Sequence, residues 1–177
     1  GANDDWPVAF WRNDEELVKD IGIDQAHYTS LFTREAIEFI ERSKDEPFFL
    51  FLAHKDPHQP CIPSEDFEGR SAGGPHGDTV EEVDWSVAEI MKCLQKNGIE
   101  KETLILFTSD NGPWYDGSPG ALRGRKGQSF EGGFRVPMIA WWPEKIPAKS
   151  ICREPAMNID FFPTFLRLAG LELPSDR

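Results

Sequence analysis

Apolar residues recur along this chain in two alternating rhythms. Leu31, Phe32, Ala36, Ile37, Phe39 and Ile40 fall on one face of a helix ending near Lys44. Pro47 then opens a short continuous apolar run, Phe48 to Ala53, with the length and content of a buried strand. Residues 54–76 carry turn residues and Pro57, Pro60, Pro63 and Pro75, so a loop is expected there. Val80, Val83, Val87, Ile90, Met91 and Leu94 return to helical spacing, and Asn97-Gly98 is a fair stop. A strand at 103–108, a glycine-rich loop over 109–134 and a third strand over Pro137 to Trp142 follow. A last helix over 158–169 begins after Asn158, a suitable N-cap.

Strands alternating with helices predict an α/β architecture with a mainly parallel sheet flanked by helices. Three strands are few for such a sheet, and no strand precedes the first helix. The chain therefore reads as incomplete, the middle of a larger domain. Residues 1–28 are polar, irregular and acidic, and read as a peripheral lead-in to a domain over 29–177.

Composition narrows the function classes. With 39% hydrophobic and 12% aromatic residues, 177 residues can bury a core in one domain. A net charge of −12 disfavours nucleic-acid binding, which needs a basic footprint. No run approaches the roughly 18 apolar residues of a membrane span. There is no signal-peptide pattern, and the chain starts at Gly1 rather than Met, which leaves the compartment undetermined. Cys61, Cys93 and Cys152 are odd in number and widely spaced, which predicts unpaired or buried thiols.

Candidate chemistry gathers where the strand at 103–108 ends. Asp110 and Asn111 put a carboxylate and an amide oxygen side by side, at an edge where α/β sheets hold ligands. Two hard oxygen donors suit a divalent cation. Asp-Asn-Gly-Pro is equally good turn chemistry, and these residues alone leave both readings open. His58 lies just past the strand at 48–53, between Pro57 and Pro60. A lone histidine is usually a plain surface residue. If the two strands are parallel neighbours, however, His58 and Asp110 share one edge, and the imidazole can bind an anion or protonate a leaving group. Lys126 sits between Gly124 and Gly127 in a locally basic stretch, as a point charge suited to an oxyanion. A solvated loop is the plainer reading. Two lookalikes are set aside. Asp4-Asp5 follows no apolar strand and reads as a solvated turn. Cys61-Ile62-Pro63-Ser64-Glu65 puts Glu where a Cys-x-Pro-x-Arg motif needs Arg, which inverts the electrostatics.

Taken together, these segments resemble a type I sulfatase, close to the arylsulfatase group. The resemblance rests on Pro47-Phe48-Phe49-Leu50 with Pro57-His58-Gln59-Pro60, the stretch Gly77-Asp78-Thr79-Val80-Glu81-Glu82-Val83-Asp84-Trp85-Ser86, and Thr108-Ser109-Asp110-Asn111-Gly112-Pro113. It continues through Leu122-Arg123-Gly124-Arg125-Lys126-Gly127 and Phe130-Glu131-Gly132-Gly133-Phe134-Arg135-Val136-Pro137, in order, over about residues 28–173. Any one motif is weak; the ordered set is specific. It implies an alkaline-phosphatase-like fold and hydrolysis of small-molecule or carbohydrate sulfate esters. It implies a divalent cation, Ca2+ or another such as Mg2+, with Asp110 and Asn111 as ligands. His58 and Lys126 would contact the sulfate or its bridging oxygen, and a formylglycine would be the nucleophile. The family's formylglycine motif and Asp-Asp metal pair are not among these residues, and His76 stands where relatives often carry Tyr. The expectation is a central-to-late fragment of a sulfatase catalytic domain, inactive alone, from a secreted, periplasmic or lysosomal protein. A phosphodiesterase or phosphonate hydrolase of the same superfamily is one alternative, and a truncated, non-catalytic binding module is another.

Overall fold

The computed structural model describes residues 9–18 and 25–175. The chain divides into two compact units, residues 1–145 and 146–177. The expected turn at Asp4-Asp5 lies outside the described residues.

In the first unit, β1 (Phe10–Arg12) and β2 (Glu15–Val18) form an antiparallel hairpin. Asn13, at a φ of 53°, makes its turn, as its tolerance of the left-handed region allows. The lead-in expected to be irregular thus contains a hairpin. It is anchored by Phe10, whose ring stacks on Tyr28 and Phe32 at 5.9 and 5.7 Å.

Helix α1 (Tyr28–Ser43) and helix α2 (Gly74–Lys96) pack together. Of the positions expected from apolar spacing, Ala36, Ile40, Val83 and Leu94 are buried, while Val80 is 44% exposed and Thr79, Glu82 and Ser86 take buried places instead. Ile40, Cys93 and Leu94 form the buried cluster between them, with Ile37 and Ile90 packed against it. Helix α2 starts earlier than its apolar pattern, because Pro75 sits in its first turn, where a missing N–H costs nothing. It ends as expected. Gly98 (φ 70°) donates to the Gln95 carbonyl at 3.0 Å and Ile99 to that of Leu94 at 3.1 Å, a double closure that uses two orphan carbonyls.

Phe48, Leu50 and Ile105 lie over the same cluster, so extended segments are layered on a helix pair and the α/β class holds. The strand pairing differs from expectation. Strand β3 (Ile105–Thr108) pairs antiparallel with β4 (Met138–Trp141), from Ile105 opposite Trp141 to Thr108 opposite Met138. The long loop between them returns the chain beside itself, and antiparallel strands are common additions to otherwise parallel sheets. Residues 48–53 form no ladder with β3 among the described residues. Their burial still alternates with strand period. Phe48 and Leu50 face the helices, while Phe49 and Phe51 are 65% and 80% exposed. The helix layer, rather than a neighbouring strand, holds this segment.

A buried polar seam runs beside the apolar cluster. The Thr33 hydroxyl lies 2.6 Å from both the Thr29 carbonyl and Ser86 Oγ, and Ser86 Oγ is 3.1 Å from His54 Nε2. Thr29 donates to Asp56 Oδ2 at 2.7 Å. All three cysteines are unpaired, as expected. The second unit holds a 3-10 turn (Asn158–Asp160) that runs into α4 (Phe161–Leu168), whose Gly170 closes the end in the manner of Gly98. Among the described residues no helix is long and apolar enough to cross a membrane.

Candidate functional site

Strand β3 ends at Thr108, and the chain turns through Ser109, whose hydroxyl donates to the Asn111 carbonyl at 3.1 Å. The Asn111 side-chain amide donates to Asp110 Oδ1. This fixes the two side chains together and leaves Asp110 Oδ2 and Asn111 Oδ1 as neighbouring hard oxygens. Asp110 is exposed and Asn111 half-buried.

Glycines explain why the chain can turn here. The Gly112 N–H donates to the Gly133 carbonyl at 2.9 Å, and a Cβ on Gly112 would lie 1.9 Å from the Gly132 oxygen. Gly132 donates in turn to the Arg123 carbonyl at 2.8 Å, and a Cβ there would lie 2.2 Å from the Gly124 oxygen. The one-turn helix α3 (Glu131–Phe134) is therefore a clamp. Its bare backbone grips the Asp110 turn on one side and the 123–124 loop on the other.

The basic loop divides by role. The Arg123 guanidinium stacks 3.8 Å over the Phe130 ring. Arg125 Nη1 donates to the carbonyls of Trp114 and Gly117 at 2.8 and 2.7 Å. Both arginines are committed to holding the loop. Lys126 uses its backbone N–H on the Pro113 carbonyl at 3.0 Å, and its half-buried side chain has no ion-pair partner among the described residues. Of the three cations, it is the one that neither stacks on a ring nor bonds the loop's carbonyls through its side chain among the described residues.

His58 sits in an exposed turn closed by its own N–H to the Lys55 carbonyl at 3.0 Å. Its Nδ1 is 2.7 Å from the Gln59 carbonyl oxygen. A carbonyl only accepts, so Nδ1 carries the hydrogen and Nε2 is the ring atom left for chemistry. The neighbouring Gln59 amide donates to Asp116 Oδ2, across to the loop that follows Asp110. Contacts between residues 59 and 116 and between 113 and 126 thus tie together the loops of His58, Asp110–Asn111 and Lys126. Cys61 donates to the Pro57 carbonyl at 3.5 Å, and burial pushes its thiol pKa up, away from the reactive thiolate.

The oxygen pair at 110–111 fits a hard divalent cation as part of a ligand set. Among the described residues no cluster of three or more His, Cys, Asp or Glu side chains could hold a metal ion, so further donors would have to complete it. Sequence reasoning missed a second feature. Glu82, 1% exposed, accepts the Ser64 N–H at 2.9 Å and borders a cavity of about 300 Å3 with Trp85 and Arg70. None of His58, Asp110, Asn111 or Lys126 lines it. It also missed the clamp role of Gly132 and Gly133 and the anchoring by Arg125. The run Glu131-Gly132-Gly133 was the available signal for the clamp.

Comparison with known proteins bears on the site as a whole. A family model described as Sulfatase matches residues 3–171. Human steryl-sulfatase is 40% identical over 176 residues, which cover 94% of this chain and 30% of that protein. Mouse N-acetylgalactosamine-6-sulfatase is 44% identical over 161 residues, covering 86% of this chain and 31% of that protein. The chain spans about a third of the length of the curated relatives it matches. Among solved structures, Ps i-CgsB in complex with k-i-k-neocarrahexaose superposes with a TM-score of 0.84 at 31% identity, over 96% of this chain and 39% of that one. The PsFucS1 sulfatase from Pseudoalteromonas sp. gives 0.81 at 35% identity, over 86% and 32%.

Proposed function

The chain belongs to the sulfatase family, and from that premise we propose that it carries part of the catalytic domain of a sulfuric ester hydrolase. The observation that supports this most is the bonded loop cluster. Two bonds, Gln59 to Asp116 and Lys126 to Pro113, join the loops that carry His58, Asp110–Asn111 and Lys126, which supports one shared site.

Each residue has a task that its surroundings suit. The unpaired Lys126 ammonium neutralises charge on the sulfate and on the bridging oxygen as the S–O bond breaks. His58, with Nδ1 committed to the Gln59 carbonyl, presents Nε2. A proton carried on Nε2 would pass to the departing alkoxide or phenoxide oxygen. Asp110 and Asn111 would hold a divalent cation, which supplies Lewis-acid polarisation of the sulfate. Residues 1–177 contain no Cys/Ser-x-Pro-x-Arg motif, and Cys61, a buried-shifted thiol followed by Glu65, is a poor substitute.

The test is release of 4-nitrophenol from 4-nitrophenyl sulfate. Residues 1–177 alone should give no turnover. In a protein where they are joined to a matured formylglycine segment, Lys126→Ala should lower the rate at least about 100-fold, about 2.7 kcal/mol. An unchanged rate would remove Lys126 from the site. Turnover by residues 1–177 that disappears in Cys61→Ala would replace the assignment with a cysteine nucleophile.

A further inference from the structure

We propose that Lys55 is a positioning residue for His58: its ammonium closes the turn that commits the imidazole Nδ1 to the backbone and leaves Nε2 to the substrate. This rests on the reading of His58 as a sulfate contact and names what sets the state of its ring.

Lys55 holds the turn from both ends. Its carbonyl accepts the His58 N–H at 3.0 Å, and its ammonium donates to the Pro60 carbonyl. The same ammonium lies 3.3 Å from Asp56 Oδ1. Between the two closures sits the Gln59 carbonyl, the acceptor for His58 Nδ1 at 2.7 Å. Peptide units are planar, and the proline ring locks the φ that joins the Gln59 carbonyl's unit to the Pro60 backbone. Fixing the Pro60 carbonyl therefore restrains the Gln59 carbonyl one unit before it.

The hold is built on the helix layer. Asp56 is 8% exposed, and its Oδ2 accepts from Thr29 Oγ1 of α1 at 2.7 Å. Thr29 is itself buried in the polar seam beside α2. The Lys55 and Asp56 side chains are 20% and 3% exposed, so water screens this pair far less than an ion pair on the surface. A line of bonds thus runs from α1 through Asp56 and Lys55 to the carbonyl next to the one that His58 uses. The Gln59 amide, given to Asp116, fixes the same residue from the side of the Asp110 loop.

The consequence for the ring is a choice of tautomer. A neutral imidazole carries its hydrogen on either nitrogen, and the hydrogen bond made by one decides the state of the other. A held Gln59 carbonyl selects the Nδ1–H form, because a carbonyl only accepts. Nε2 then keeps its lone pair and can take up a proton for the departing oxygen. With the carbonyl loose, that selection is lost. Lys55 touches no reacting atom in this arrangement and acts through His58.

The experiment reads the His58 tautomer in the 177-residue protein from long-range proton–nitrogen correlations of the ring, at a pH above the end of its own titration. The wild type should hold the Nδ1–H form in excess. Lys55→Met keeps the length of the stem and removes the donor. It should move the ratio toward Nε2–H at least about fivefold, the change expected from loss of one hydrogen bond. Thr29→Val removes the anchor of Asp56 at nearly constant volume and should move the ratio the same way, so either variant suffices if the other misfolds. Lys92→Met, which removes the exposed pair with Glu89, should leave it unchanged. A Lys55 that merely stabilised the fold would lower the urea midpoint and leave the tautomer of the folded protein as it was, and that result would overturn the proposal. An excess of Nε2–H in the wild type would overturn it as well. The reading of His58 beneath it fails separately. If His58→Ala in the protein joined to a matured formylglycine segment kept full turnover of 4-nitrophenyl sulfate, His58 would leave the site, while a tautomer dependent on Lys55 would still stand.

Discussion

The helix pair and the loop cluster are ordered by opposite means. Between α1 and α2, order comes from side chains: Ile40 and Leu94 are each 1% exposed, and Thr29, Thr33 and Ser86 are buried and hydrogen-bonded beside them. Over residues 109–134 order comes from missing side chains. Gly112, Gly132 and Gly133 let backbone meet backbone, while Trp114, Tyr115 and Phe134 stay exposed. The difference teaches where each region is vulnerable. The scaffold should suffer from lost volume and the site from added volume.

The largest effect should come from the scaffold. Leu94→Ala removes a side chain from the centre of the buried cluster, where Ile40 and Cys93 have little freedom to close the gap. Urea unfolding of the 177-residue protein should show a loss of about 2–5 kcal/mol. A loss below about 0.5 kcal/mol, the level of an ordinary surface change, would mean the helix pair does not carry the fold.

In the loop the same kind of change should act the other way. Gly112→Ala adds one methyl group, but it lands 1.9 Å from the Gly132 oxygen, and backbone cannot step aside as a flexible side chain can. The bond from Gly112 to Gly133 should break, at a cost of about 1–3 kcal/mol in urea unfolding, while the helical signal persists. Gly120→Ala sharpens the contrast. Gly120 has a φ of +62° but nothing within 4 Å of an added Cβ. It should cost about 1 kcal/mol in backbone strain and no more. If the two alanines behave alike, left-handed conformation rather than close approach governs the loop.

These two regions were not equally legible in the sequence. The helices announce themselves through apolar residues at helical spacing, and Asn97-Gly98 stops α2 where expected. The segment Phe48 to Ala53 was read as a strand from its run of apolar residues. Its alternating burial agrees, but pairing depends on neighbours far away in sequence, which periodicity does not carry. The antiparallel return of β4 was invisible for the same reason. Within the candidate site, Asp110, Asn111 and His58 stand out by chemistry and by their place after apolar runs, and Lys126 by its place in a glycine-rich basic loop. Arg125 and Arg123 do not separate from Lys126 in sequence, since all three are cations in one loop. Only the carbonyls of Trp114 and Gly117 and the Phe130 ring sort them. The hairpin at 10–18 escaped because its strands are three and four residues long, too short for a period to register.

The smallest effect should be a pH signature that belongs to the scaffold. His54 is held under Phe32 and against Ser86, and burial lowers its pKa below the ordinary value of 6.5, with the Asp56 carboxylate opposing only in part. Among the described residues its buried Nδ1 has no hydrogen-bond partner, so these give an added proton nothing to bond. In the unfolded chain the imidazole takes up that proton as pH falls through 6.5. The unfolded state then binds more protons than the folded one, so stability must fall with falling pH, starting near 6.5 and levelling below the depressed folded value. His54→Gln keeps a group that can bond Ser86 but removes the titration. Urea midpoints measured for both proteins from pH 8 downward to about 5 should therefore converge, the wild type losing its margin over the variant through this window. Parallel profiles would show that His54 is not the group that makes the helix layer acid-sensitive.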